Sequence, residues 1–431
     1  MTVPVAPLLS GLDGRLPELR ALYKDLHAHP ELSFQEVRTA GIVAARLREE
    51  GWDVTEGVGG TGVVGVLTAG DGGGPVVLLR ADMDALPVKE ETGLPYASTR
   101  TGVDAEGNEV PVMHACGHDM HVTCLLGAAE LLAANRHAWS GTVVAVFQPA
   151  EEIGGAHVMI DDGFLERFPR ADICLGQHVG PVPAGLVGTR PGPVMAASDS
   201  VRVRLIGRGG HGSMPEATVD PVVMAAAIVM RLQTVVSREV GSGQQAVVTV
   251  GSIHSGTKEN IIPDTAELLI NIRSTTPAVR ERVLDAVKRI VRAEAAASDA
   301  PEEPEITDFN AFPVTFNDPP ATATVQAALT AALGEERVFT VPHTLAGSED
   351  FGTFGSALRA PSVFWYFGGT DLAAFKDVDT DALLAGVIPA GIPANHSPLF
   401  APVVDPTVEV GVTSLLTAAA QWLTSGTEQP R

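Results

Sequence analysis

The segment His114-Ala115-Cys116-Gly117-His118-Asp119 sets a thiol and an imidazole two residues apart. In an extended segment, Cys116 and His118 would present both side chains to one side. Further groups of metal-ligand type follow at Glu151-Glu152, His178 and His396. A soft thiolate, imidazoles and a carboxylate suit zinc, manganese, cobalt or nickel better than calcium or magnesium. A lone Cys or His is usually a packed core residue. Several in comparable settings point instead to a metal site, and with it to a metal-dependent hydrolase. Adjacent glutamates cannot point the same way, so one of Glu151 and Glu152 can ligate while the other faces a water as general base.

These residues need elements to position them. Leu16, Leu19, Leu22, Tyr23 and Leu26 form a helical stripe over 12–28, closed by Pro30. A second helix over 35–50 carries Val37, Ile42, Val43 and Leu47 and stops at Gly51. Short apolar strands follow at 63–67, 76–79, 143–147, 173–175 and 363–367, with a buried helix over 123–134. Several strands are apolar throughout, as in strands covered on both faces, so an α/β domain with a largely parallel sheet is expected. Asp82, Glu151-Glu152 and His178 fall where strands are expected to end, the position of sites in open α/β sheets.

From Ser198 the pattern changes. Val201-Arg202-Val203-Arg204-Leu205 alternates strictly, the sign of a strand with one wet face. A helix over 219–237, strands at 246–250 and 266–272, a helix over 277–296 and a short strand near 305–307 complete β-α-β-β-α-β, a ferredoxin-like α+β sandwich. The expected organisation is a first catalytic part at 1–197, an insertion at 198–310 and a second catalytic part at 311–431.

Of the 431 residues, 45% are hydrophobic and 19% charged, which excludes a disordered chain. The net charge of −23 argues against nucleic-acid or anionic-membrane partners. The first fifteen residues do not read as a signal peptide, and the longest apolar run, Val222 to Met230, is too short for a membrane span. Three cysteines in so long a chain are no disulfide framework; Cys124 and Cys174 read as buried thiols, and a reducing cytoplasm is the expected location. The runs Gly57–Gly62 and Gly207–Gly212 fit G-x-G-x-x-G, but neither opens a helix, so a dinucleotide site is rejected. His211, within the second run, reads as a mobile proton or hydrogen-bond donor.

Several stretches together carry a resemblance. They are His29-Pro30-Glu31-Leu32-Ser33, Arg80-Ala81-Asp82-Met83-Asp84-Ala85-Leu86-Pro87, the Cys116/His118 segment, and Phe147 to Glu152. The series continues with Gly207 to Pro215, Asn260-Ile261-Ile262-Pro263, Gly347-Ser348-Glu349-Asp350-Phe351 and His396-Ser397-Pro398. In this order they resemble the amidohydrolase branch of the aminoacylase/carboxypeptidase family of dinuclear metallopeptidases. That resemblance implies two divalent ions (manganese, zinc, cobalt or nickel) held by Cys116, His118, Glu152, His178 and His396. It implies Glu151 as general base and Asp82 as an acid supporting the ligands from behind. The inserted domain becomes a lid or dimerisation domain of a homodimer. His211 is then an oxyanion donor, and Asn260 and Arg273 hold the substrate, Arg273 through its carboxylate. Gly368-Gly369, after a strand, can offer backbone N–H groups to that same carboxylate. Many relatives carry a metal-binding His where this chain has Arg80, with Cys116 as the compensating ligand. The implied reaction is amide hydrolysis of a small N-acyl amino acid. Dipeptidase or carboxypeptidase-like cleavage is compatible with the same residues, and a non-catalytic binder of small acids is the competing class.

Overall fold

The computed structural model describes residues 3–376, 378 and 389–425. The chain divides into two compact units, the first running to Val194 and resuming at Phe316–His343 and from Asp350 onward. The second holds Met195–Thr315 together with Thr344–Glu349.

In the first unit a mixed sheet runs in the spatial order Asp53–Val58, Gly62–Ala69, Trp139–Gln148, Val76–Asp82, Ile173–Pro183, Ser362–Thr370, Val187–Thr189, Val338–Thr340. Its four central strands, Trp139–Gln148 to Ser362–Thr370 in that order, are parallel. Antiparallel pairs flank them at Asp53–Val58 with Gly62–Ala69 and at Gly62–Ala69 with Trp139–Gln148. Val77, Leu78 and Leu79 are buried in succession, so this central strand is covered on both faces, as its unbroken apolar run demands. Helices Leu12–Ala28, His118–Ala134 and Thr407–Ala419 pack against one another. The first buries Leu12, Leu16, Leu19, Leu22, Tyr23 and Leu26, the stripe seen in the sequence.

The strand Ile173–Pro183 is longer than its apolar core suggests, because it pairs along its length with Ser362–Thr370, placing His178 opposite Tyr366. His178 therefore sits within the strand rather than beyond its end. Gly176 makes room for this pairing: a Cβ there would lie 2.9 Å from the Phe351 ring and 3.0 Å from that of Phe364.

The second unit follows the order Ala197–Ile206, Pro221–Glu239, Ala246–Ser255, Thr265–Ser274, Pro277–Ala297, Glu305–Phe312. Its four strands form an antiparallel sheet ordered Ala246–Ser255, Thr265–Ser274, Ala197–Ile206, Glu305–Phe312. Both helices open with a capping residue followed by proline. The Asp220 carboxylate accepts from Val222 N at 2.8 Å, and Thr276 Oγ1 from Val279 N at 3.3 Å. By length and composition Pro221–Glu239 is apolar enough to cross a membrane, but it buries Met224, Ile228, Leu232 and Val235 in the core of this unit. Thr344–Glu349, expected from the sequence to belong to the catalytic part, joins this unit, since Ala196 N donates to Leu345 O at 2.9 Å and Gly347 O at 3.0 Å.

Candidate metal centre

Adjacent parallel strands of the first unit bring the site together. Val76–Asp82 ends on Asp82, and Trp139–Gln148 leads to a short turn of 3-10 helix, Glu151–Ile153. On the other side of Val76–Asp82, Ile173–Pro183 carries His178. Cys116 and His118 arrive differently from the extended segment expected. Gly117 has φ 83°, in the left-handed region, and caps helix His118–Ala134, so the two side chains converge through a turn. A Cβ on Gly117 would overlap Val179 Cγ1.

All five expected ligands cluster. Cys116, His118 and His178 place donor atoms within 4.8 Å of one another, as do Cys116, Glu152 and His396, so the two groups share Cys116. Within them Cys116 Sγ is 3.5 Å from His178 Nε2, and His396 Nε2 is 3.2 Å from Glu152 Oε1. Glu151 belongs to a third group with His118 and Glu152.

The imidazoles are oriented from behind. His178 Nδ1 lies 2.8 Å from Val179 O and so carries the proton, leaving Nε2 as the ligand atom. His118 Nδ1 is 3.1 Å from Asp84 Oδ1, and its Nε2 is buried with no hydrogen-bond partner among the described residues. A buried, orphaned imidazole nitrogen beside a thiol and carboxylates is what a divalent cation would satisfy, so the residues fit the metal. His121 stacks on His118 at 5.4 Å but is no ligand: Nδ1 is 2.5 Å from Asp82 Oδ1, and Nε2 accepts from Val179 N at 2.8 Å.

The charges agree. Burial pushes the His118 imidazole down, but Asp82, Cys116 and Asp84 outweigh it and hold its pKa well above the usual value. Bonds to Cys116 and Glu152 raise His396 to about 10. Protons thus occupy the electronegative hollow where a cation belongs, and metal binding must release them. His178 is the opposite case, its pKa pushed well below the usual value chiefly by burial.

Asp82 supports the site less directly than expected. It bonds to His121 and, at 2.7 Å, to the Arg80 guanidinium, and lies 3.8 Å from His118 Nε2. Arg80 is fully buried and reaches Asp350 at 3.0 Å and Gln148 Oε1 at 2.8 Å, a fixed positive strut behind the acids. Asp84, given no role by the sequence patterns, is the more central carboxylate. Besides His118 it accepts the backbone N–H groups of Glu151 at 3.1 Å and Glu152 at 3.2 Å, and the Ser33 hydroxyl at 2.7 Å. Its sequence signals were its place two residues beyond Asp82, on the same side of an extended chain, and its presence in the stretch from Arg80 to Pro87. Two more buried groups were missed. His27 bridges Asp119 at 2.6 Å and Glu90 at 3.1 Å beside the start of helix His118–Ala134. Glu36 Oε1 accepts Ala150 N at 2.8 Å just before Glu151, while Oε2 takes the Thr61 hydroxyl.

The remaining candidates divide between the units. In the second, Gly210–His211 pairs with Ile261–Ile262 and Gly212 N donates to Asn260 O at 2.9 Å, so His211 and Asn260 share a small ribbon, not a loose glycine loop. His211 Nδ1 accepts from Ser213 N at 3.1 Å and lies 2.8 Å from Ser213 Oγ, which leaves Nε2 as the N–H donor in the neutral ring. Arg273, half-buried, is held through Nε by Asn271 Oδ1 at 3.1 Å and through Nη1 by Ala346 O at 3.1 Å and Ser348 Oγ at 3.2 Å. In the first unit, Gly368 does not fit its expected part: its N–H already donates to Leu186 O at 2.9 Å. A Cβ on it would overlap Pro183 O, so close backbone approach explains that glycine. Gly369, also buried, would meet Val179 Cγ2 at 2.6 Å.

Comparison with known proteins adds the family. The sequence profile of Peptidase family M20/M25/M40 matches residues 78–388. Thermostable carboxypeptidase 1 of Saccharolobus solfataricus is 39% identical over 352 residues, covering 80% of this chain and 84% of its own. Hippurate hydrolase of Campylobacter jejuni is 39% identical over 350 residues, covering 81% and 87%. A Bacillus subtilis protein described as a dinuclear metal binding peptidase from the M20 family superposes with a TM-score of 0.71 at 30% identity, covering 95% of this chain and 98% of that one. By the profile match and by these relatives, this chain belongs to the M20/M25/M40 peptidase family.

Proposed function

We propose that the protein hydrolyses the amide bond of small N-acyl amino acids. The observation that carries this reading is the Cys116, His118, Glu152, His178 and His396 cluster, buried at Cys116, His118 and His178 and open at His396, with the Glu151 carboxylate beside it. Those five residues would hold two divalent ions, manganese, zinc, cobalt or nickel. When bound, the ions supply Lewis acidity, polarising the scissile carbonyl and lowering the pKa of the attacking water. Glu151 takes the proton from that water and returns it to the departing amine. Its backbone is pinned by Asp84, which limits where the carboxylate can swing. His211 donates from Nε2 to the developing oxyanion, and Arg273 with Asn260 holds the substrate carboxylate. Gly369 remains a candidate backbone donor to the same group. The hippurate hydrolase relative supports an N-acyl substrate. A homodimer in a reducing cytoplasm completes the reading.

The thermostable carboxypeptidase relatives support one second reading, cleavage of a C-terminal peptide bond by the same groups. The test is amino-acid release from a panel of N-acetyl, N-benzoyl and indole-acetyl amino acids and dipeptides. The enzyme is reduced and loaded with manganese or zinc, and Glu151→Gln serves as the blank. Release from an acyl amino acid that the blank lacks is expected. Release from dipeptides alone moves the assignment to the second reading. Turnover by Glu151→Gln at the wild-type rate refutes Glu151 as the base.

A further inference from the structure

Three ligand-bearing segments meet at one side chain that the hydrolytic mechanism leaves unused. Asn395 immediately precedes His396, and its Nδ2 lies 3.1 Å from Cys116 O, 3.2 Å from Val179 O and 3.8 Å from Cys116 Sγ. Every group it faces is an acceptor, so the amide nitrogen and not the amide oxygen must point inward. Val179 O is the same carbonyl that orients His178, so its two lone pairs serve His178 Nδ1 and Asn395. The next residue closes the stitch. His396 N donates to Ala115 O at 2.8 Å, and His396 adopts φ 70°, a left-handed conformation costly for a residue with a Cβ. That strain persists only where the surroundings over-determine it. The paired bonds from residues 395 and 396 to residues 115 and 116 supply that determination.

We propose that Asn395 is a positioning residue of the metal centre. Its amide clips the Cys116 loop to the strand carrying His178 and sets His396 in register with both, while the N–H toward Cys116 Sγ draws charge from the thiolate. The inference rests on the assignment of Cys116, His178 and His396 as ligands. Asn395 acts through three ligands at once and not on the substrate, which is why its loss reads out as affinity and as thiolate character.

The test uses the full chain loaded with cobalt, whose thiolate charge-transfer band reports the sulfur directly. Wild-type protein is compared with Asn395→Leu, similar in volume and without donors, and with Asn395→Ser, which keeps at most one donor. Cobalt affinity is read by chelator competition and folding by the melting temperature of metal-free protein. Asn395→Leu is expected to bind cobalt about ten- to a hundredfold more weakly. Its charge-transfer band should move to lower energy, with Asn395→Ser in between. A band and affinity identical to wild type in Asn395→Leu overturn the proposal while leaving the ligand assignment intact. Absence of any thiolate band in wild type overturns both. If Asn395→Leu does not fold, Asn395→Ser decides: a displaced band supports the clip, and a wild-type band and affinity refute it.

Discussion

A single oxygen of Asp84 lies 3.1 Å from His118 Nδ1 and 3.1 Å from the backbone N–H of Glu151. One carboxylate thus fixes the tautomer of a ligand and the backbone of the proposed base. Asp84→Asn keeps the shape but weakens both bonds by removing the charge. Metal affinity is expected to fall about ten- to a hundredfold, as for other partners behind a metal-bound histidine. Competition against a calibrated chelator checks this, and unchanged affinity would refute the role.

Gly117 is held at φ 83° with Val179 Cγ1 where a Cβ would go. Gly117→Ala is expected to destabilise the protein by about 2 kcal/mol or more, the left-handed penalty plus a clash. Because the turn also aims Cys116 and His118, metal affinity should fall with it. Denaturant melts with and without metal separate the two effects, and an Ala variant as stable as wild type contradicts the argument.

Burial, reinforced by the nearby Asp84 charge, pushes the Glu36 carboxyl up to about 7. The folded state therefore holds this proton more tightly than the unfolded chain does. The contribution to stability is full below the ordinary carboxylate pKa and is lost as pH rises through about 7. Each tenfold gain in proton affinity is worth about 1.4 kcal/mol, so roughly 3 kcal/mol is at stake. Glu36→Gln imitates the protonated form and can still accept from Ala150 N. In metal-free protein, its stability relative to wild type should therefore rise between pH 5 and pH 8, by up to about 3 kcal/mol. A difference that stays flat with pH removes Glu36 as the titrating group.

Metal should stabilise the fold as well as the reaction, because the hollow formed by Cys116, His118, Glu152, His178 and His396 attracts positive charge when folded. Manganese or zinc at a hundred times its Kd is expected to add about 2.7 kcal/mol per site. A chelator should reverse the gain. Calorimetry at several metal concentrations follows the change, and a melting temperature indifferent to metal argues against a preformed site.

Much of the first unit was legible because its signals are local. The unbroken Val76–Leu79 run announced a strand buried on both faces, and the ligand types announced the chemistry. The start of helix His118–Ala134 was hidden because His118, Asp119 and His121 make its first turn polar, although all three are buried and engaged in the site. Apolar periodicity sees only the helix from Thr123 onward. His178 was placed beyond a strand for the same kind of reason: pairing with Ser362–Thr370 extends the strand past its apolar core. Asp82 and Asp84 share a side of an extended chain, and only the position of helix His118–Ala134 decides which of them meets His118 Nδ1. Gly368 illustrates the converse error, a glycine read as a ligand contact where backbone crowding requires it.

The second unit interrupts the first between Val194 and Phe316, and His396 lies beyond that interruption. During synthesis Cys116, Glu152 and His178 leave the ribosome well before the strand Ser362–Thr370 that pairs beside His178, and before the fifth ligand. Domains tend to fold as units in the order they emerge, so the inserted unit can complete itself while its host is still unfinished. A nascent chain therefore holds a thiol and two imidazoles in a half-built centre, open to the wrong cation or to oxidation. Closure by Asn395 and His396 follows the inserted unit, so capture of the ions records that the host has been resumed and completed around its insertion.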